Sequence, residues 1–318
     1  MKNNFKSNYR LNFEQNSLQM KFGKVANPEE IDFTLPKDNP ETKRVLQLHK
    51  NDDVPFEIYV GCAKWNKTDL KGFYPKGTKD ELTYYATQFN SIELNATFYN
   101  MPKTEQVIKW KEKSTDGFKF FPKITNSITH YKRLVNVKDT LETYCDAVSH
   151  FEEKLGMVFM QLHDNFSPKE FDKLKEVLQN FPAGIPLAVE VRNSEWFSDK
   201  KIFTEYAKLL EKLKMANIIV DTAGRRDMLH MRLTRPEAFV RYVGANHSSD
   251  ITRLDDWIKR IKKWRKQGLQ KLYFFIHQNV EVESPLLASY FINELNKALE
   301  LDLKIPETLA DTQKKLFE

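Results

Sequence analysis

Two glutamates, a lysine and two arginines are placed where they could do chemistry. Glu93, Lys123, Glu190, Arg192 and Arg241 each stand at or near the end of a short apolar run. Two carboxylates in unlike surroundings can divide the roles of general acid and general base. Cations beside them suit a phosphate, a carboxylate or a developing oxyanion. On this reading Glu93 and Glu190 are acid and base, and Lys123, Arg192 and Arg241 bind the anion. The competing reading is a buried ion-pair network in which these charges only neutralise one another. His163, Glu190, Asp221 and His277 could also be metal ligands. However, no His-x-Asp or His-x-x-His spacing joins them, and the neighbouring cations would repel a divalent ion. Neither a metal nor another cofactor is therefore expected.

These residues need strands to hold them. The stretch Phe89-Asn90-Ser91-Ile92-Glu93-Leu94-Asn95-Ala96-Thr97-Phe98-Tyr99 reads as a strand opening into a ligand site. Successive strand side chains point to opposite faces, so Ile92, Leu94 and Ala96 share one face and Glu93, Asn95 and Thr97 the other. A carboxylate beside an amide is a costly choice for a plain core. The same alternation applied to every strand sets Val60, Leu94, Phe120, Met160, Val189, Val220, Tyr242 and Phe274 towards helices. The opposite parity carries Gly61, Glu93, Asn95, Lys123, Gln161, His163, Glu190, Arg192, Asp221, Arg241 and His277. Almost every polar strand residue thus falls on one parity, near carboxyl ends.

The rhythm that supplies those strands begins at residue 56. Strands are predicted at 56–61, within 89–99, and at 118–123, 157–162, 187–191, 218–221, 239–243 and 272–276. Helices are predicted at 79–89, 104–114, 137–153, from Ser167-Pro168, at 198–214, 252–267 and 284–300. Residues 222–237 read as irregular with one helical turn. Eight apolar strands, nearly all followed by helices, predict an α/β fold of the (β/α)8 TIM-barrel-like type in one domain. A doubly wound open sheet is the rival, weakened by the lack of a Gly-rich turn after the first strand. The domain is expected over residues 55–302, with a polar, partly ordered extension at 1–54 and a tail at 303–318. The first 19 residues, before Met20, read as dispensable for folding.

The chain resembles the domain of unknown function 72 family, the YecE-like proteins. The matching residues are Gly61-Cys62-Ala63-Lys64-Trp65, Phe73-Tyr74-Pro75, Phe89 to Tyr99, and Phe118 through Ile128-Thr129-His130 to Arg133-Leu134. Further matches are Leu155-Gly156 to Gln161-Leu162, Ala188-Val189-Glu190-Val191-Arg192 with Trp196, and Phe239 to Gly244. The resemblance spans residues 56–296 and implies a TIM-barrel-like fold and a pocket, without an established reaction. Lys64, Trp65, Thr97, Tyr99 and His130 lie in these motifs and join the ligand-binding candidates. The chain departs from the family's Gly-Thr-Ser-Gly-Trp at Cys62, Ala63 and Lys64. It departs again at His163-Asp164, where the family has Pro-Pro, and at His277-Gln278-Asn279. These departures point to a site retuned for another ligand.

Composition bounds the function. The chain has 318 residues, 41% hydrophobic and 30% charged, enough to bury a core and too apolar for wholesale disorder. Fifty basic against 44 acidic residues give a net charge of +6, which permits an anionic partner without requiring nucleic acid. Cys62 and Cys145 offer no disulfide framework, so a reducing, cytoplasmic setting is the default. No apolar run has membrane-spanning length. Trp65, Phe73, Tyr74, Phe98, Tyr99 and Trp196 follow strand ends and could form a stacking wall. Lys259 to Lys266 is strongly basic, but the Leu254, Trp257, Ile258, Ile261 and Trp264 stripe makes its basic face a solvated one. The leading expectation is a metal-independent enzyme, a hydrolase or lyase, acting on a small anionic ligand such as a phosphorylated sugar or nucleotide. The alternatives are a nucleic-acid-binding protein without catalysis and a metal-dependent hydrolase.

Overall fold

A computed structural model of the protein describes residues 23–51 and 53–307. The expected truncation point at Met20 therefore lies outside the described residues. Eight strands follow one another in parallel: β1 (Glu57–Cys62), β2 (Ser91–Leu94), β3 (Lys119–Pro122), β4 (Val158–Gln161), β5 (Leu187–Glu190), β6 (Ala216–Asp221), β7 (Glu237–Gly244) and β8 (Lys271–Gln278). Their pairing is not continuous. Six strands form one curled sheet in the order β1-β8-β7-β6-β5-β4, and β2 pairs with β3 as a second sheet. What is established is thus a parallel α/β fold in two hydrogen-bonded sheets.

Two seams join these sheets. Between β3 and β4, Gly156 N–H donates to Phe120 O (2.8 Å) and Ile124 N–H to Phe159 O (2.9 Å), with bridges Phe120–Leu155 and Lys123–Phe159. Between β1 and β2 side chains stand in for the ladder. The Asn90 amide accepts from Val60 N–H (2.9 Å) and donates to Ile58 O (2.8 Å). Tyr85 Oη accepts from Cys62 N–H (2.7 Å) and donates to Ser91 O (3.1 Å). Gly61 permits this approach, because a Cβ there would lie 2.2 Å from Ser91 O.

Two apolar clusters mark the two faces of the strands. Phe121, Met157, Phe159, Ala188, Phe239, Tyr273 and Phe275 pack together inside. Val60, Leu94, Phe120, Met160, Val189, Tyr242 and Phe274 pack outward with the helices, as alternation predicts. β6 is the exception. Val220 joins the inner cluster, so Asp221 faces outward, opposite to expectation. β2 also ends sooner than expected. It stops at Leu94, and Ala96–Tyr99 form a single helical turn, so Asn95 and Thr97 do not continue the alternation of Glu93.

Seven of the eight strand connections and ends carry the expected helices, including Glu81–Gln88, Lys200–Lys212, Ser249–Gln267 and Ser284–Leu299. The connection from β6 to β7 has only the turn Arg226–Met228. The helix Pro40–Leu48 covers this stretch. It is capped by the Asn39 side chain, which accepts from Glu41 N–H, and Pro40 supplies the fixed first turn. Its Thr42 hydroxyl donates to Met231 O (2.7 Å) and accepts from Leu233 N–H (3.0 Å). Arg44 pairs with Glu211, and Leu46 O approaches Gly268. A helix from before the first strand thus fills the outer layer between the helices Lys200–Lys212 and Ser249–Gln267. The extension expected to be partly ordered contributes a packed element here.

Candidate functional site

At the carboxyl ends of the strands, inward alternation brings five buried polar side chains together: Glu93, Lys123, Gln161, Glu190 and Arg241. Arg241 is the hub. Its Nε and Nη2 donate to the two carboxylate oxygens of Glu93 at 2.9 and 2.8 Å. Its Nη1 donates to Glu190 Oε2 (2.7 Å) and to Gln161 Oε1 (3.2 Å). One fork therefore serves both carboxylates, a geometry that a lysine could not reproduce. Glu190 also accepts from Arg192 Nε (2.6 Å), and His277 Nε2 lies 2.9 Å from Glu93 Oε2. The Asn95 amide donates to Glu93 Oε1 (2.9 Å), so Asn95 reaches the cluster from beyond the strand.

Burial opposes ionisation of both glutamates, but the cations win. Arg241 and His277 hold the Glu93 carboxyl well below the usual range, and Arg241 and Arg192 hold Glu190 at about 2. Burial likewise opposes the Arg241 charge, and the two carboxylates more than offset it, raising its pKa. Both carboxylates are thus held towards the ionised form and both pair with Arg241, the arrangement that the ion-pair reading expects.

Lys123 is different. Its residue is 7% exposed, and its Nζ donates to Gln161 Oε1 (3.0 Å) and lies 3.9 Å from the centroid of the Phe98 ring. Among the described residues it has no ion pair. Burial, with Arg241 and Arg192 nearby, holds its pKa well below the ordinary lysine value. Asn95, Phe98, His130, His163, Arg192 and His277 are half-buried neighbours of this floor. Phe98 packs on His130 (4.9 Å between ring centres) and His130 on His163 (5.2 Å). Burial, above all, pushes His130 down to about 3. His163 Nδ1 accepts from Asn165 N–H (3.0 Å).

Other expected site residues lie apart. Asp221 is a ligand of the outer layer: it accepts from Arg253 (2.7 Å) and Trp257 Nε1 (2.7 Å) and pairs with Arg226. Thr97 is buried and donates to Leu94 O (3.0 Å) and Lys123 O (2.7 Å), fixing the backbone beneath the site. Lys64 pairs with Asp69 (3.2 Å), and the Trp65 ring packs on Trp110 (5.9 Å). Tyr99 is exposed and touches Phe98 edge-on. The aromatic wall is dispersed too: Phe73 and Tyr74 pack with Tyr84, while Trp196 is fully buried and donates to Phe166 O. Cys62 faces the helices, where burial raises its pKa well above the ordinary thiol value. Part of the basic run is used internally, since Asp38 pairs with Arg260 and Lys263.

Sequence reasoning passed over Asp164, whose carboxylate lies 3.7 Å from Arg192 Nη1. Asp164 was visible in the His163-Asp164 departure, and Arg225, in the irregular stretch after β6, donates to Arg192 O (2.5 Å). Among the described residues no group of three or more His, Cys, Asp or Glu forms a metal-ligand set. A cleft of about 300 Å³ lies elsewhere, lined by Phe89, Asn90, Asp116, Ile292 and Lys304 among others, without such a charged cluster. Among the described residues, no helix is long and apolar enough to cross a membrane.

Fold and site together define a parallel α/β protein with a charged cluster at the carboxyl ends of its strands. The chain belongs to the family described as "Protein of unknown function DUF72", whose model matches residues 59–311. The helix Pro40–Leu48 therefore lies outside the family match. The chain is 26% identical to UPF0759 protein YecE of Escherichia coli (strain K12) over 264 residues, 76% of this chain and 94% of that protein. It is 30% identical to UPF0759 protein YunF of Bacillus subtilis (strain 168) over 155 residues, 44% of this chain and 52% of that one. A crystal structure of a DUF72 family protein from Enterococcus faecalis V583 superimposes with a TM-score of 0.62 at 17% identity, covering 78% of this chain and 99% of that one. One from Thermotoga maritima MSB8 gives 0.58 at 22% identity, covering 76% and 99%.

Proposed function

We propose that the two sheets close through their seams as a (β/α)8 barrel, and that its carboxyl end is the site of a metal-independent enzyme acting on a small anionic ligand. The observation that carries this reading is a charge imbalance. Glu93 and Glu190 are matched by Arg241 and Arg192, which leaves a protonated Lys123 as one positive charge in excess. A buried ammonium without a carboxylate is expensive. The amine gives up its proton when the site is empty of anions and regains it when a phosphate or carboxylate arrives. Arg192, at the half-buried rim, is the second anion contact. Glu93 and Glu190 act as a fixed frame for Arg241. The absence of a three-ligand set among the described residues, together with the cations present, supports action without a metal. Two buried thiols without a disulfide support a reducing compartment.

Calorimetric titration of the full chain with inorganic phosphate, in two buffers of different ionisation heat, tests the reading. Binding should be accompanied by uptake of a proton, and Lys123→Met should abolish both. Equal binding by Lys123→Met, or binding without proton uptake, would overturn it.

A further inference from the structure

Lys123 carries more than an anion contact. It stands at the end of β3, its Nζ on the face of Phe98 and beside Gln161, near Arg241 and Arg192, and among the described residues no carboxylate pairs with it. A lysine in such a place has two uses in general chemistry: it binds an anion as ammonium, or it reacts with a carbonyl as amine. Two features favour the second. Arg241 and Arg192 already pair with both buried carboxylates, so the pull of Glu93 and Glu190 on a Lys123 proton is outweighed by burial and the two arginines. The nearest partner of Nζ is an amide oxygen, which accepts a hydrogen bond from a neutral amine and leaves its lone pair free.

We propose that Lys123 forms a Schiff base with a small anionic aldehyde or ketone, an oxo acid or a carbonyl-bearing phosphate. The Nζ lone pair adds to the carbonyl carbon as the C–O π bond opens. The resulting carbinolamine loses water, its oxygen coming from the carbonyl and its two hydrogens from the amine, and leaves a C=N bond to Nζ. No oxidant, reductant or metal enters this balance. The anionic end of the same molecule lies on Arg192 and its carbonyl on Nζ, so the amine beside the carbonyl stays unprotonated, whereas a free phosphate sits against Nζ itself and draws the proton back. The lowered proton affinity of Lys123, set by burial and the two arginines, enlarges the share of neutral, nucleophilic amine over that of an exposed lysine. His130, held neutral beside it, does not compete for the carbonyl as a charged donor. This inference rests on the anion-site reading above and names its substrate class.

The test uses the full chain, glyoxylate and dihydroxyacetone phosphate as probes, and sodium cyanoborohydride to fix the imine. Peptide mass mapping at neutral pH should place a reduced adduct on Lys123 at least about tenfold faster than on exposed lysines such as Lys259, whose amines are almost wholly protonated there. Lys123→Arg should lose this adduct while the slow labelling of surface lysines is unchanged, and inorganic phosphate should compete with it. Labelling of Lys123 no faster than Lys259, in a protein that still binds phosphate, would overturn the Schiff base and leave the anion site standing. Loss of both phosphate binding and labelling in the folded wild-type protein would overturn both. Fast labelling that phosphate does not slow would place the reacting amine outside the anion site and overturn the assignment.

Discussion

At the scale of single residues, the site separates into groups that stabilise the fold and one that burdens it. Arg241 holds Glu93 and Glu190 ionised in the interior, and removing one partner of such a set leaves a buried charge unmatched. Glu93→Gln should therefore lower stability by about 3–5 kcal/mol in urea unfolding, with Glu190→Gln smaller because Arg241 keeps its two-point contact with Glu93. Lys123→Met should do the reverse. Its lowered pKa means that the unfolded chain binds a proton there that the native state does not. Stability consequently rises with pH between the native and the unfolded lysine pKa, and part of it is missing at neutral pH. Met fills a similar volume without that penalty, so its melting temperature should equal or exceed the wild type while phosphate binding is lost. The glutamates give the opposite pH signature. Their native pKa values are depressed, Glu190 to about 2, so their contribution is complete above the unfolded value near 4.5 and is lost as pH falls below it. Between pH 5 and 2 the wild type should lose stability on the order of 3 kcal/mol through Glu190, at about 1.4 kcal/mol per unit. Glu190→Gln should show a correspondingly shallower acid slope; an identical slope in both proteins would contradict the ion-pair assignment.

At the scale of elements, alternation read the strands well because each is buried on both faces and each face has its own apolar partner set. Glu93, Lys123, Gln161, Glu190, Arg241 and His277 converge for that reason. β6 defeated the argument. Ile218-Ile219-Val220 is apolar on both parities, so alternation has little to grip, and Asp221 takes its direction from Arg253 and Trp257 on the helix Ser249–Gln267. Asn95 and Thr97 failed differently: a polar strand end and the first turn of a helix look alike in sequence, and Thr97 closes that turn on Leu94 O. The helix Pro40–Leu48 was illegible because only Thr42, Val45 and Leu46 are buried, and its neighbours come from residues almost two hundred positions away. Its burial still makes a measurable claim. Leu46 is wholly buried against the outer layer, so Leu46→Ala should cost about 2–5 kcal/mol in equilibrium unfolding. A loss under about 0.5 kcal/mol, the range of ordinary surface changes, would show that the helix only rests on the domain.

At the scale of the whole molecule, the question is how a set of eight parallel strands holds together where its backbone ladder lapses. The β3–β4 seam keeps a few main-chain bonds, but the β1–β2 seam depends on the Asn90 amide, the Tyr85 hydroxyl and the lack of a side chain at Gly61. This seam lies between the sheet that carries His277 and Arg241 and the pair that carries Glu93 and Lys123. The charged cluster itself spans the two sheets: the contacts Arg241–Glu93 and His277–Glu93 cross from one to the other. Asn90→Leu keeps the volume roughly but removes two buried backbone partners, leaving Val60 N–H and Ile58 O unsatisfied, at about 1–3 kcal/mol each. Gly61→Ala adds a methyl group where Ser91 O sits, so the strands must part. Both variants should loosen the site before they unfold the domain. Amide exchange should quicken at Val60, Cys62 and Ser91-to-Leu94 and remain slow in β6 and β7, while phosphate binding weakens although no ligand contact was altered. Uniform acceleration of exchange across all eight strands would instead show that the seam has no independence from the rest of the fold. Unchanged exchange at β2 would show that the sheets are held together by the charged cluster alone.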